Sequence, residues 1–487
     1  MQELIEGLND KQKEAVLTVQ GPCLVIAGAG SGKTKVLTHK IAYLIKEEKV
    51  LPWNILAITF TNKAANEMKE RIEQIVGDSA KDIWMGTFHS ICVRILRKFI
   101  DRIGFDSSFL IFDTSDQKTL IKECLKALSI DDKLFSDKGV LAEISNAKNE
   151  MLEPKAYGVK YAGDYRKSKI AEIYELYQRR LKENNAIDFD DIINYTIKIL
   201  TENADILEYY TEKFKYVLVD EYQDTNKAQF TLVTILASKY GNITAVGDSD
   251  QGIYSFRGAD ISNILNFEKD FPGTKIIKLE QNYRCTGNIF KAPNSVIKNN
   301  EVKYKKQLWT ENDVGNLPKV YSAKNEYDEG TYIATQIEHL RREEKYNYSD
   351  FAILYRMNTQ SRAIEEILRR EVIPYKIIGG LKFYERKEIK DIIAYLRIIS
   401  NPTDDIAVER IINVPKRGIG ATTVERVKDY ARAYGMDLYD AFLEVENIPG
   451  LSRAVSKIKG FTNLIEGYKT EEYENDILKL VNAILTD

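Results

Sequence analysis

One juxtaposition near the N-terminus restricts the fold more than any other. A short apolar run, Cys23–Ala27, leads into Ala27-Gly28-Ala29-Gly30-Ser31-Gly32-Lys33-Thr34, and an amphipathic stretch follows. Glycines here let the backbone turn tightly and aim several N–H groups at one point, where a helix N-terminus adds its dipole. The turn needs a buried strand before it and a helix after it. That context belongs to a parallel α/β sheet, and a Gly-Lys-Thr ending is a demanding signature of phosphate binding.

The same strand–helix alternation recurs. Apolar runs at Ile55–Phe60 and Ile83–Phe88 precede helix-like patterns at Ala64–Val76 and Ser90–Ile103. From about 113 to 186 only helical periodicity remains; then Tyr216–Val219 and Ile243–Val246 read as buried strands again. This predicts one α/β domain interrupted by a helical insertion. A second α/β pattern begins near 285, with candidate strands Lys319–Ser322, Phe351–Tyr355 and Tyr375–Ile378, and the chain reads as helical from about 383 onward. Its 487 residues suggest about three domains at roughly 150 residues each.

Composition narrows the class. With 44% apolar residues and ten prolines, the chain is neither disordered nor collagen-like. Seventy basic residues against 73 acidic ones leave nucleic acid open as a partner, because a basic groove can be offset elsewhere. Cys23, Cys92, Cys124 and Cys285 form no CxxC pair and have no neighbouring His cluster, so four buried, reduced thiols are expected. The polar start MQELIEGLNDKQKEAV lacks a signal-peptide pattern, and no run approaches the ~18 apolar residues of a membrane span. A cytoplasmic protein with no membrane partner is the expectation.

The strand runs of the first domain end in hydroxyls, carboxylates and amides: Thr59-Phe60-Thr61-Asn62, Thr87-Phe88-His89, Asp220-Glu221 and Gly247-Asp248-Ser249-Asp250-Gln251. Open α/β sheets bind ligands at that edge. In an ATP site Lys33 would reach the β- and γ-phosphates and Thr34 would ligate Mg²⁺. Val217-Leu218-Val219-Asp220-Glu221 is an apolar strand ending in two carboxylates. Asp220 would hold Mg²⁺ and Glu221 would deprotonate the attacking water. The bland readings are an ordinary glycine turn and a solvated acidic strand end.

These residues resemble the UvrD/PcrA/Rep family of superfamily 1 DNA helicases along essentially the whole chain. Leu8-Asn9-Asp10-Lys11-Gln12 looks like the Q motif, and Ala27–Thr34 is similar to motif I. Ile58-Thr59-Phe60-Thr61-Asn62-Lys63-Ala64-Ala65 matches motif Ia and Gly86-Thr87-Phe88-His89-Ser90 motif Ib. Asp220–Asp224, Val246–Ala259 and Leu279-Glu280-Gln281-Asn282-Tyr283-Arg284 match motifs II, III and IV. The resemblance implies that Gln12 reads adenine, that Tyr283 and Lys35 flank the ring, that Arg284 meets the γ-phosphate and that Gln251 senses it. Lys35 stands where the family usually has Arg. Phe60, Thr61, Asn62, His89, Tyr254, Phe256 and Arg257 would contact single-stranded DNA; Phe256 stands where Trp is common.

Val414-Pro415-Lys416-Arg417-Gly418-Ile419-Gly420-Ala421 holds a further signal. A glycine turn entering a helix presents N–H groups to a phosphate, with charge from Lys416 and Arg417. It equally suits a plain inter-helix turn; the resemblance favours a duplex grip through Lys416, Gly418 and Gly420.

The fold implied is α/β: a P-loop NTPase with a RecA-like parallel-sheet lobe (1–110 and 188–283), a helical insertion (111–187), a partial second RecA-like lobe (284–382) and a partial second insertion (383–487). The family's motifs V and VI find no counterpart, so a C-terminally truncated helicase with impaired turnover is expected. The activity implied is ATP- and Mg²⁺-dependent 3′→5′ unwinding in repair or replication. Implied partners are single-stranded DNA, single-strand/duplex junctions and repair or replication proteins, with the chain a monomer or weak dimer. The competing readings are an ATP- and single-strand-binding chain without turnover, and the motor part of a helicase–nuclease, for which no nuclease carboxylate cluster is seen.

Overall fold

The computed structural model describes residues 2–300, 304, 306–378, 386–470, 473 and 476–486. It divides into two compact units, Met1–Asn316 with Tyr395–Leu480, and Leu317–Ala394 with Val481–Asp487.

The first unit is built on a six-stranded parallel sheet: β1 (Cys23–Ala27), β2 (Ile55–Thr59), β3 (Trp84–Thr87), β4 (Tyr216–Val219), β5 (Ile243–Gly247) and β6 (Lys275–Leu279). Across the sheet they run β3-β2-β4-β5-β1-β6. Four of them, β1, β2, β4 and β5, are buried throughout, as strands covered on both faces must be. Alternate residues serve opposite cores: Leu24, Ile26, Leu56 and Ile58 face one, Cys23, Val25, Ile55 and Ala57 the other. Edge strand β6 escaped the sequence reading because Lys275 and Lys278 interrupt its apolar run and only Ile277 and Leu279 are buried. The order makes β4, β5 and β1 neighbours, so the loops after them meet on one side, while β2 and β3 deliver theirs on the other flank of β4.

Leu110–Ile111 pairs with Ala186–Ile187 at the neck where the chain leaves this lobe and returns. Between them, helices Thr114–Ala127, Asp137–Asn149, Pro154–Lys160 and Tyr165–Glu183 enclose their own core, including Phe112, Ile144, Ile173 and Tyr177. Lys148 anchors them to the lobe through Asp188 at 2.6 Å and Asp191 at 2.7 Å, all three side chains buried. From Asp405 to Tyr468 this unit is helical, and Ile406 enters the insertion's core. Ion pairs Arg397–Asp116 at 2.7 Å and Lys428–Glu123 at 3.2 Å tie the two helical parts together.

In the second unit, helices Glu326–Glu343 and Ser361–Arg370 pack through Ala334, Ile337, Ile364 and Ile367. They approach closely at Gly330, where a Cβ would fall 3.0 Å from Ile367 Cγ1. The strands expected at 319–322, 351–355 and 375–378 do not form: none of these segments pairs with another among the described residues. A parallel strand exists only where a neighbour takes its N–H and C=O groups, and Val320 and Leu354 are instead 98% and 94% exposed.

Of the four thiols, Cys23, Cys92 and Cys124 are buried and Cys285 is half-buried, so the expectation fails at Cys285. Among the described residues no helix is long and apolar enough to cross a membrane.

Candidate functional site

The loop between β1 and the helix Lys33–Lys46 has the shape its glycines require. Gly30 and Gly32 adopt φ of +68° and +88°, the left-handed region that side chains disfavour. A Cβ on Gly30 would fall 2.7 Å from the Cβ of Arg284, and one on Gly32 would fall 2.7 Å from Nε2 of Gln12. Ser31 Oγ donates to Gly28 O at 2.7 Å, closing the loop on itself. Ala27 ends β1 fully buried, and Thr34 is the second residue of the helix. The result is a concave backbone cradle at a helix N-terminus, which fits a polyphosphate.

The carboxylates lie beside it. Lys33 Nζ is 2.8 Å from Oε2 of Glu221 and 3.4 Å from Oε1 of Gln251. Glu221 carries its carboxylate on a left-handed backbone, φ +48°, a strained conformation for a non-glycine residue that functional sites often retain. Burial pushes the Asp220 carboxyl up to about 6, with the neighbouring Glu221 adding to the shift and Lys33 opposing it. Asp224 is raised to about 6 in the same order of causes, burial and then Glu221. A buried carboxylate with no full counter-charge is a good place for a divalent cation. Among the described residues no three His, Cys, Asp or Glu side chains gather as a metal cage. A Mg²⁺ there would take its remaining ligands from phosphate and water.

Gln12 does not offer a free amide edge. It is 1% exposed, its Nε2 donates to Ser31 O at 2.9 Å, and its Oε1 accepts from the N–H of Asn9 at 3.1 Å. It braces the cradle. Lys35 Nζ donates to Gly7 O at 2.7 Å. Tyr283 leaves its ring half exposed; its hydroxyl accepts from Asn9 Nδ2 at 2.7 Å and donates to Gln281 at 2.8 Å.

Two residues that sequence reasoning missed complete this side. Asn282 is buried; its Nδ2 donates to Ala29 O at 2.6 Å and its Oδ1 accepts from the N–H groups of Arg284 and Cys285. It thereby fixes the Arg284 backbone against the loop. Lys306 forms a buried ion pair with Asp248 and another with Asp250 at 2.9 Å. Asn282 lies inside the Leu279–Arg284 motif, and that position is the one signal in the sequence that could have found it. Lys306 sits in no motif, and only the fold brings it here.

Five of the expected DNA residues converge on a groove of about 600 Å³. Phe60, Thr61, His89, Tyr254 and Phe256 line it. Asn62 is the exposed first residue of helix Asn62–Val76 and is not among the lining residues; the Arg257 side chain lies outside the described residues. Phe256 is 72% exposed and Tyr254 lies 6.0 Å from it, centroid to centroid, tilted 31°. Phe60 is held edge-on by Phe88 and His89 by Phe189. Burial holds the His89 imidazole below its ordinary value, partly offset by a hydrogen bond with the Phe189 backbone. Thr61, Thr87 and Asn226 also line the groove, and each caps a helix N-terminus, those of Asn62–Val76, Phe88–Phe99 and Lys227–Ala237. Three helix N-termini facing one groove make it favourable for phosphate, while the rings suit stacked bases. The insertion contributes Asn146 and Asn149, unforeseen from sequence.

The Gly418-Ile419-Gly420 turn lies apart from this lining. Gly418 has φ +69° and Gly420 caps helix Ala421–Tyr434, with Lys416 exposed beside them. Asn413 clamps Ile419 through both its amide ends. Arg417 points inward, contrary to the charge expected of it: its guanidinium donates to Ile411 O and Val414 O and to the Tyr395 hydroxyl at 2.6 Å.

Comparison with known proteins supplies the family. The model of the UvrD/REP helicase N-terminal domain matches residues 8–272, and that of the UvrD-like helicase C-terminal domain matches 277–481. The chain is 52% identical over 483 residues to the ATP-dependent DNA helicase PcrA of Bacillus subtilis strain 168, covering 99% of this chain and 65% of that protein. It is 52% identical over 487 residues to the protein of the same name from Staphylococcus aureus strain NCTC 8325, covering 100% of this chain and 66% of the relative. The chain thus spans about two thirds of the length of these relatives, and none of the matches supports the expectation that its turnover is impaired. With one family model matching more than half of its residues, the chain belongs to the UvrD/REP helicase family.

Proposed function

We propose that the chain is an ATP-driven motor that moves 3′→5′ along single-stranded DNA and unwinds duplex ahead of it, serving repair or replication in the cytoplasm. One observation carries the proposal. The same two strand ends furnish both sites: the segment after β4 supplies Asp220 and Glu221 to the cradle and Asp224 and Asn226 to the groove. The segment after β5 supplies Gln251 to the cradle and Tyr254 and Phe256 to the groove. Cradle and groove residues are thus only three to six positions apart along one backbone, so a change at the cradle would be carried to the groove.

Mg²⁺–ATP, when bound, would supply the phosphoanhydride and a Lewis acid. Thr34 and Asp220 would hold the metal. Lys33 would leave Glu221 for the phosphates, freeing that carboxylate to accept a proton from water. Arg284 would face developing charge, Tyr283 would stack against adenine, and Gln12 would keep the loop in shape. Tyr254 and Phe256 would stack on bases without reading them, which suits a motor indifferent to sequence. Lys416, Gly418 and Gly420 would meet duplex phosphates.

The test is ATPase activity with and without oligothymidylate, together with displacement of streptavidin from 3′- or 5′-biotinylated strands. DNA-stimulated turnover that vanishes in Lys33→Ala, with displacement from the 5′-biotinylated strand and not from the 3′-biotinylated one, is expected. Turnover indifferent to DNA would sink the motor reading.

A further inference from the structure

The buried ammonium of Lys306 belongs to none of the recognised motifs, yet it grips two carboxylates of the segment after β5. Its side chain is 3% exposed, as is that of Asp248, and Asp250 is 10% exposed. Asp248 is the hub. Its Oδ1 takes Lys306 and the N–H of Asp250 at 3.0 Å, and its Oδ2 takes Nε2 of Gln251 at 2.7 Å. Its own N–H donates to Oε1 of Gln223 at 2.9 Å, and Gln223 Nε2 donates to Glu221 Oε2 at 2.9 Å. Glu221 and Gln251 both meet Lys33. A closed circuit therefore runs Lys33, Glu221, Gln223, Asp248, Gln251 and back to Lys33, joining the ends of β1, β4 and β5.

Both Asp248 side-chain oxygens accept in this circuit, so Gln251 turns its N–H₂ toward Asp248 and its oxygen toward Lys33. A carboxyl group this deeply buried needs a partner of opposite charge, and Lys306 is placed as that partner. The ammonium also fixes Asp248 and Asp250 together, and so the chain direction from Gln251 to Tyr254 and Phe256 in the groove.

We propose that Lys306 is a positioning residue that couples the nucleotide cradle to the DNA groove, by holding the segment the two sites share. The inference rests on the motor reading above. Its test needs no turnover. The affinity of a fluorescent oligothymidylate is measured with and without a non-hydrolysable ATP analogue and Mg²⁺, and the ratio is the coupling factor.

For the unaltered chain a ratio of about 5- to 150-fold in either direction is the usual range for coupled sites. Lys306→Gln should bring the ratio to within about twofold of unity while each ligand alone binds within about threefold of normal. Lys306→Arg, which keeps the charge, should retain most of the coupling. A Lys306→Gln chain with the full ratio overturns the inference, and so does one that weakens both ligands while leaving the ratio intact, since that marks a merely structural role. If Lys306→Gln does not fold, Asp250→Asn, which removes one carboxylate and keeps the Lys306–Asp248 pair, should still cut the ratio; an unchanged ratio there also overturns it. An unaltered chain with no coupling at all refutes the motor reading itself.

Discussion

Lys33 and Glu221 meet at 2.8 Å, the P-loop ammonium against the carboxylate expected to activate water. In this contact each group occupies the other. Glu221→Gln keeps the shape and removes the base. General-base catalysis contributes about 10²–10⁴-fold, so kcat for ATP should fall in that range. ATP affinity should hold, because the carboxylate that competes for Lys33 is gone. Steady-state hydrolysis and binding of a fluorescent ATP analogue separate the two; an unchanged kcat removes Glu221 from the mechanism.

Asn282 ties the Arg284 backbone to the loop around Ala29 and is itself buried. Asn282→Ala removes the partner of the Ala29 carbonyl and of two N–H groups; these bonds are part-buried and water can replace some of them, so the net loss is about 1–3 kcal/mol in all. The KM for ATP should rise about tenfold and the melting temperature should drop. Asn282→Asp keeps the acceptor but loses the donor and should fall between the two. Equal melting temperatures for all three would show that the contact carries no stability.

Phe256 is well exposed, so its ring contributes little to the core. Phe256→Ala should leave thermal stability unchanged yet weaken oligothymidylate binding by about 1–3 kcal/mol, the usual worth of a stacked base. Phe256→Trp offers a larger face and should tighten binding. Fluorescence anisotropy against a labelled oligothymidylate decides; if Phe256→Ala binds normally, the groove does not use this ring.

The sheet was legible because its central strands are uninterrupted apolar runs that end in the site residues, as at Val217–Glu221. Edge strand β6 was not, because exposed Lys275 and half-buried Lys278 break the pattern. The expected strands of the second unit illustrate the converse: alternating apolar residues such as Val320 and Leu354 mark strand propensity, while pairing depends on a neighbour. The bend of the loop after β1 was legible because glycine dictates it, Gly30 and Gly32 both taking positive φ. What sequence hid were residues whose work is done at long range, such as Lys306 and Asn149. It also misassigned Arg417, whose side chain satisfies carbonyls inside the glycine turn. A charge in a sequence does not say which way it points.

Lys40 offers a pH signature of the fold. It is 1% exposed and donates to Ala15 O at 3.2 Å and Thr18 O at 2.5 Å, at the end of helix Asp10–Leu17. Burial lowers it from 10.5 to about 8, and the neighbouring Cys23 only partly opposes this. The unfolded chain therefore holds this proton more tightly than the folded one, so Lys40 opposes folding fully below pH 8 and less as pH climbs toward 10.5. Relative to Lys40→Met, which has no such proton, the unaltered chain should gain about 1 kcal/mol between pH 7 and pH 9. Urea unfolding of both chains across that interval measures the difference. Parallel stability curves would mean that the Lys40 ammonium is as well solvated inside as out.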